Sequence, residues 1–262
     1  MRKFTVAVLA AFIVFCLAAC FETESVTSVN RDGSGSMQAT VDFSSMMALL
    51  SSKEKEANKE EVLVDTIIHF RSFTDTASSL TARQKQLLEG MQLKIVLNSK
   101  KGDCIFTIWS PFKNISDLNE LNRLMTEKEF DDLFDRAVDI TPFGSEDESA
   151  PSGNNDNLFG SVFPDFFDCV YTGNSITCAV NKEKYDETLA DMKKSSMDLD
   201  DKMTAEMLEA ATFTNRINLP GKPVSVEGAE LKQGETEQQL VQKGNVYDLY
   251  KNPQKYAYSI RY

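Results

Sequence analysis

Alternating apolar and polar residues mark the first strand-forming segment of this chain. Met37, Ala39, Val41 and Phe43 alternate with three polar residues, which is the period of a strand with one buried face. Turn-forming residues occupy positions 30–35, so residues 22–43 are expected to form a hairpin. An Asn-x-Asp-Gly turn can also begin a calcium loop, but the closing twelfth position, counted from Ser28, is an alanine rather than an acidic residue. The pattern therefore predicts a turn and no metal site.

Further strands are predicted by the same alternation. Residues 62–70 form one strand, and residues 93–97 and 104–109 form a second hairpin around a polar turn. Near the end of the chain, a strand is expected from residue 237 to residue 241. The last residues alternate strictly, with Tyr256, Tyr258, Ile260 and Tyr262 on one face. The chain is therefore expected to end inside a sheet.

Helical spacing predicts helices between these strands. Residues 46–60 are highly charged and helical in pattern, and Thr81 with Gln84 matches a capping box that opens a helix ending near Gly90. Ser116 is expected to cap a helix, Thr126 to open another, and a short helix is expected near residues 247–250. A stripe at helical spacing runs through residues 182–211 with a break near residue 195, and comprises Tyr185, Leu189, Met192, Leu199, Met203 and Met207. Such a stripe predicts that these residues belong to the hydrophobic core, and an adaptable Met-rich binding groove is the alternative.

Strands and helices mix without a regular βαβ alternation, which indicates an α+β fold. We expect antiparallel β-hairpins packed with amphipathic helices and a terminal strand inside a sheet. Residues 20–141 form an N-terminal α+β part of the body. Residues 142–164 are rich in Gly, Pro, Ser and acidic residues and are predicted to be a polar loop or linker. Residues 165–262 form a C-terminal α+β part with a cysteine hairpin.

Two cysteines are expected to form a disulfide. A two-residue turn of type II′ at Gly173-Asn174 would pair residue 172 with residue 175, and therefore Cys169 with Cys178. This pair would occupy a non-hydrogen-bonded site, where side chains of antiparallel strands approach most closely. Free thiols are one alternative, and a bond from Cys104 to either cysteine is another. The preferred pairing leaves Cys104 buried near the start of a strand.

The first nineteen residues have the layout of an export signal. Arg2 and Lys3 precede an apolar run, and small residues follow before Cys20. The apolar stretch at 4–19 is sixteen residues long, which is shorter than the 18 or more expected of a membrane-spanning helix. Residues 1–19 are therefore predicted to be a signal peptide that is removed.

Leu17-Ala18-Ala19-Cys20 resembles the lipobox of bacterial lipoproteins. The resemblance implies cleavage before Cys20 by signal peptidase II, a diacylglyceryl thioether on Cys20, and N-acylation. It places the protein in the bacterial cell envelope, anchored to the membrane by lipid. Phe21 rather than Asp follows the cysteine, so in a Gram-negative host the expected position is the outer membrane, facing the periplasm. The alternative is an ordinary cleaved signal with a chance cysteine.

Short motifs elsewhere resemble a group of envelope lipoproteins of similar length. They are Asp-Gly-Ser-Gly at 32–35, Val-Asp-Thr at 64–66, Leu-Pro at 219–220 and Asn-Pro at 252–253. This resemblance implies a shared architecture and brings no activity with it.

Charge excludes several classes of partner. The chain has 28 basic and 40 acidic residues and a formal net charge of −12. Loss of Arg2 and Lys3 with the signal peptide would leave the mature chain at −14. Nucleic acids and anionic head groups both require clustered basic residues, and here the basic runs are mere pairs. Acyl chains on Cys20 must therefore hold the body at the membrane, and we expect no nucleic-acid partner.

The sequence contains no strong motif for catalysis or metal binding. His69 is the only histidine and lies within a predicted strand, whereas nucleophilic catalysis and zinc sites usually need an oriented imidazole or several ligands. Paired carboxylates can hydrolyse glycosides without histidine, but Asp131-Asp132 with Asp135, and Asp198 with Asp200-Asp201, are more typical of solvated surfaces. We expect a non-enzymatic binding or assembly module with an envelope protein partner and neither cofactor nor metal. The alternatives are a carboxylate hydrolase acting on an envelope polymer and a carrier of an apolar ligand.

Overall fold

The computed structural model describes residues 21–45, 47, 63–75, 77–139, 166–194 and 197–262. The predicted signal peptide and Cys20 lie outside these residues. So do the predicted linker at 142–164 and, apart from Met47, the charged helix predicted at 46–60. All statements below concern the described residues.

The first hairpin forms where the alternation predicts it. Strands β1 (Glu22–Val29) and β2 (Gly35–Asp42) pair antiparallel. The turn is held by Asp32, whose carboxylate accepts hydrogen bonds from the backbone N–H (3.0 Å) and hydroxyl (2.6 Å) of Ser34. Gly33 has φ +82°, a conformation that glycine adopts without strain. At Gly35 a Cβ atom would overlap the Ser28 carbonyl oxygen, so this position requires glycine.

Twelve strands are described in all, in two sheets. The remaining strands are β3 (Leu63–His69), β4 (Gln92–Asn98), β5 (Asp103–Phe112), β6 (Phe167–Tyr171), β7 (Ser175–Val180), β8 (Thr212–Asn218), β9 (Ser225–Glu227), β10 (Leu231–Gln233), β11 (Gln239–Asn245) and β12 (Tyr258–Arg261). The larger sheet has the order β10-β11-β8-β1-β2-β5-β4-β3, and the smaller has the order β6-β7-β12-β9. The predicted second hairpin, β4–β5, is confirmed.

The described helices are α1 (Arg71–Thr74), α2 (Ala82–Leu88), α3 (Ile115–Leu124), α4 (Lys128–Asp139), α5 (Lys182–Lys194), α6 (Lys202–Ala210) and α7 (Val246–Lys251), with a 3-10 helix at Pro253–Tyr256. The capping box of α2 is confirmed, since Gln84 N donates to Thr81 Oγ1 and Thr81 N donates to Gln84 Oε1. The predicted cap at Ser116 is wrong. Asn114 caps α3 by accepting from Asp117 N, and so the helix begins two residues earlier. The mixture of helices with mainly antiparallel strands confirms the α+β prediction.

One pair of strands joins the two ends of the chain. β1 pairs with β8 in parallel, whereas all other neighbours in both sheets are antiparallel. Arg216 Nε and Glu24 Oε1, 2.6 Å apart, bridge these two strands. The N-terminal and C-terminal parts of the body therefore share the larger sheet.

The main core lies on one face of the larger sheet, here called the inner face. Val41, Leu93 and Phe106 project from this face and pack in one cluster with the helix α3 residues Leu118 and Leu121. The same cluster includes residues of the smaller sheet, namely Tyr171, Ile176, Cys178, Tyr258 and Ile260. Helices and the smaller sheet thus cover the inner face together, which leaves the opposite, outer face without a described covering layer.

The chain ends within the smaller sheet, as the alternation predicts. β12 lies between β7 and β9 and pairs with both. Tyr256 belongs to the 3-10 helix that precedes this strand. The short strands β9 and β10 were not predicted.

Helices α5, α6 and α7 surround a second apolar cluster centred on Phe166 and Tyr250. Five members of the predicted stripe take part, namely Tyr185, Leu189, Met192, Leu199 and Met207. The sixth, Met203, is 49% exposed, so its assignment to the core was wrong. The break between the helices is confirmed, since α5 ends at Lys194 and α6 begins at Lys202.

Candidate protein-binding edge

The predicted disulfide is present. Cys169 and Cys178 are directly opposite in the β6–β7 pair and are bonded, with their Cα atoms 4.0 Å apart. The predicted turn type is wrong, because Gly173 lacks the positive φ that a type II′ turn needs at its first central position. Instead the Thr172 hydroxyl accepts from Ser175 N at 3.0 Å, and Thr172 N donates to Ser175 O at 2.8 Å. The turn nevertheless places Cys169 opposite Cys178, as predicted.

Cys104 is a free thiol at the second position of β5 and is 4% exposed. Burial, with a smaller contribution from Asp42, raises the pKa of this thiol to about 11. Since the thiolate is the reactive form, Cys104 is poorly suited to be a nucleophile.

Asp200 and Asp201, two of the carboxylates considered for catalysis, have structural partners. Asp201 caps α6 by accepting from Met203 N and Thr204 N. Asp200 accepts from Lys251 Nζ at 2.7 Å, and this hydrogen bond lowers the pKa of the Asp200 carboxyl. Asp132 is exposed, and the side chains of its neighbours Asp131 and Asp135 lie outside the described residues.

A general acid needs a raised carboxyl pKa. In the described part of the chain, every Asp or Glu with a resolved shift has its pKa lowered.

A cluster of charged residues holds α2 and α3 together. Arg83 on α2 reaches Asp117 and Glu120 on α3, both at 2.7 Å, and Asp117 also accepts from Lys113 N. Hydrogen bonds from Arg83 lower the pKa of Glu120, and they lower that of Asp117 against the opposing effect of its burial. Such ion pairs indicate packing of α2 on α3 rather than chemistry.

A shallow groove of about 430 Å³ lies on the outer side of the smaller sheet. Its lining is polar and includes Thr177, Glu227, Ser259 and Arg261. An apolar-ligand carrier requires an apolar cavity, and this groove does not provide one.

The edges of the two sheets differ in how they are protected. Unpaired strand edges invite pairing with other chains, and proteins usually blunt them. Edge strands β9 and β10 are only three residues long, and β10 carries Lys232. On β6, Asn119 of α3 bonds the outward groups of one residue, since its amide donates to Tyr171 O and accepts from Tyr171 N, both at 2.9 Å. Of the four described edges, two are therefore short and a third is bonded by a helix at Tyr171.

The fourth edge, β3, has a row of backbone groups that lack a bonding partner among the described residues. Phe70 N donates to Met91 O at 3.1 Å, in register with the β3–β4 ladder. Because backbone groups alternate in direction along a strand, Val64, Thr66 and Ile68 direct their N–H and C=O groups to β4. Leu63, Asp65, Ile67 and His69 direct theirs away from the sheet, and no described residue bonds to them. The strand has neither proline nor lysine, the usual guards of such an edge.

Apolar side chains adjoin this edge on the outer face. Leu63 is 66% exposed and Ile67 is 52% exposed. Next to them, Val96 on β4 lies between Asp65 and Ile105 in register, and Trp109 on β5 is 36% exposed. We call Leu63, Ile67, Val96, Ile105 and Trp109 the outer apolar patch. Lys94, directly opposite Ile67, lies among these residues and forms an ion pair with Asp65 at 3.9 Å, so the surface beside the β3 edge offers both apolar and charged contacts.

The sequence predicts β3 as a strand but not as an edge. His69, considered and set aside as a catalytic residue, is exposed at the end of that strand. The available signal was the apolar residues Leu63 and Ile67, which alternate out of phase with the buried Val64 and Ile68. Their presence on the solvent side indicates a second apolar face, which no described residue covers.

Comparisons with protein-family models, with curated proteins and with solved structures give no match to this chain. In the described part of the chain, no helix is long and apolar enough to cross a bilayer. The same residues contain no group of three or more His, Cys, Asp or Glu side chains placed to hold a metal ion.

Proposed function

We propose that this protein is a lipid-anchored, non-enzymatic module of the bacterial cell envelope that binds another protein by adding a strand of that partner to β3. The anchor is acylated Cys20, after removal of residues 1–19 by signal peptidase II. In a Gram-negative host the body faces the periplasm from the outer membrane.

The lipobox Leu17-Ala18-Ala19-Cys20 supports the anchor. A single acyl chain gives only marginal membrane binding, whereas two or three, at about 0.8 kcal/mol per buried CH₂, hold a protein stably. The Cys169–Cys178 disulfide is consistent with an exported body, since disulfides persist in oxidising compartments.

The observation that carries the binding function is the β3 edge, whose outward backbone groups are bonded by no described residue. Strand addition uses main-chain hydrogen bonds for affinity and adjoining pockets for specificity. The four outward-facing residues of β3 offer up to eight such bonds, each worth about 0.5–1.5 kcal/mol net. The outer apolar patch adds a binding surface for alternate side chains of the incoming strand.

Site-specific photocrosslinking in living cells tests the binding function. A photoreactive amino acid replaces Ile67 on the β3 edge or, as the matched control, Val170 on the smaller sheet, which is 55% exposed. We expect a defined adduct with one envelope protein from position 67 and none from position 170. Equal adducts from both positions, or none from position 67, would contradict the binding site.

Proline substitution separates binding from folding. Ile67→Pro removes an N–H that points away from the sheet, and proline is tolerated at such edge positions. Ile68→Pro removes an N–H of the β3–β4 ladder and should destabilise the fold. We expect Ile67→Pro to keep its melting temperature within a few degrees while losing the partner. A variant that retains the partner would show that binding does not use the β3 backbone.

The lipid anchor has a separate test. Mass spectrometry of the N-terminal peptide should find acyl groups on Cys20, and Cys20→Ala should leave an uncleaved precursor or release the body from the membrane. A variant that fractionates and migrates like the wild type would exclude the anchor.

A further inference from the structure

The first described residue directly follows the proposed lipid-bearing residue. Phe21 follows Cys20 in the sequence, and its carbonyl oxygen accepts a hydrogen bond from Thr212 N at 3.2 Å. The Phe21 side chain packs against both apolar clusters, and its ring centroid lies 6.0 Å from that of Phe43. Backbone and side chain thus both fix Phe21 in the body.

We infer that the body is held against the lipid surface in one orientation, with the end of the larger sheet at which β1 begins facing the bilayer. This inference rests on the proposed lipid attachment at Cys20. One residue spans at most about 3.6 Å, so no flexible segment separates the lipid from the sheet. The tether therefore restricts rotation of the body as well as its distance from the membrane.

Helices α6 and α7 join the sheet at this membrane-facing end. β8 runs parallel to β1 with Thr212 opposite Glu22, so α6 ends where β1 begins. Val246 N, at the start of α7, donates to Ala211 O at 2.9 Å. The β1–β2 turn at Arg31 lies at the opposite end of β1, which over eight residues is about 25 Å away.

Energy transfer to the bilayer tests the orientation. The full lipoprotein carries a fluorescent donor at Thr212→Cys or, as the comparison, at Arg31→Cys, both exposed positions. The native cysteines do not compete for the label, because Cys104 is buried and the Cys169–Cys178 pair is bonded. The protein is inserted into phosphatidylcholine vesicles that contain an acceptor-labelled lipid. We expect clearly stronger transfer from position 212 than from position 31.

Equal transfer from both positions, or stronger transfer from position 31, would overturn the inference. Inserting ten Gly and Ser residues between Cys20 and Phe21 serves as a control and should abolish most of the difference. A difference that survives the insertion would overturn the argument from the short tether. The mass of the N-terminal peptide separates the two proposals. A peptide without lipid removes the anchor and this inference together, whereas a lipidated peptide with equal transfer removes only the orientation.

Discussion

Asn119 provides a quantitative test of how helix α3 is held to the smaller sheet. Its amide group donates to Tyr171 O and accepts from Tyr171 N, both at 2.9 Å, and so bonds α3 to the edge of β6. Tyr171 is 8% exposed and belongs to the main core. Replacing Asn119 by alanine leaves both backbone groups without these bonds in a mostly buried place.

The cost follows from the two lost hydrogen bonds. A buried polar group left without a partner costs about 1–3 kcal/mol, and water can reach half-buried position 119 in part. We therefore expect Asn119→Ala to lower the free energy of unfolding by about 2–3 kcal/mol. Asn119→Asp keeps the acceptor for Tyr171 N but places a carboxylate oxygen against Tyr171 O. Asn119→Asp should therefore lower the free energy of unfolding by at least as much.

Urea unfolding of the protein produced from residue 21 onward measures these differences. Ser116→Ala, on the same helix, removes a hydroxyl that donates to the Asn114 side chain and should change the free energy by less than about 0.5 kcal/mol. Hydrogen exchange at the Tyr171 amide gives a local readout, since that N–H should exchange faster in Asn119→Ala, whereas Asn119→Asp keeps its acceptor. Unchanged stability together with unchanged exchange would refute the bridging role of Asn119.

Two further predictions concern the C-terminal region. Hydrogen bonds from Lys255, Tyr256 and Asn252 lower the pKa of Asp248 from 3.8 to about 2. The wild type should therefore be more stable than Asp248→Asn above pH 4, and this advantage should fade as the pH falls towards 2. Urea titrations from pH 6 to pH 2 that show a constant advantage would contradict the lowered pKa of Asp248. Removing residues 257–262 deletes β12 from between β7 and β9 and should destabilise the whole body. An unchanged melting temperature of the shortened protein would contradict this prediction.

Local signals in the sequence predict the features that depend on a few neighbouring residues. The turn at Asp32-Gly33, the capping box at Thr81 and the Cys169–Cys178 pairing each arise within about ten residues, and all are confirmed. The choice of cap on α3 shows the limit of such signals. Asn114 and Ser116 are both good caps, and local sequence does not decide between them.

Features that depend on distant residues were not predictable in the same way. The parallel β1–β8 pair joins residues about 190 positions apart, and nothing in either segment encodes its neighbour. Strands of three residues, such as β9 and β10, are too short for alternation to mark them. The β3 edge belongs to this class, because a strand's own pattern does not show where it lies in the sheet.

Charge and register together favour a different protein, rather than a second copy, as the partner of β3. An antiparallel self-pairing centred on Thr66 would place Asp65 opposite Ile67 and Leu63 opposite His69. Neither Asp65 nor His69 would then face an oppositely charged side chain directly across the interface. Two copies, each with a formal net charge of −12 over the whole chain, also repel one another. A partner strand with apolar residues on one face and basic residues nearby would match both the outer apolar patch and the acidic body.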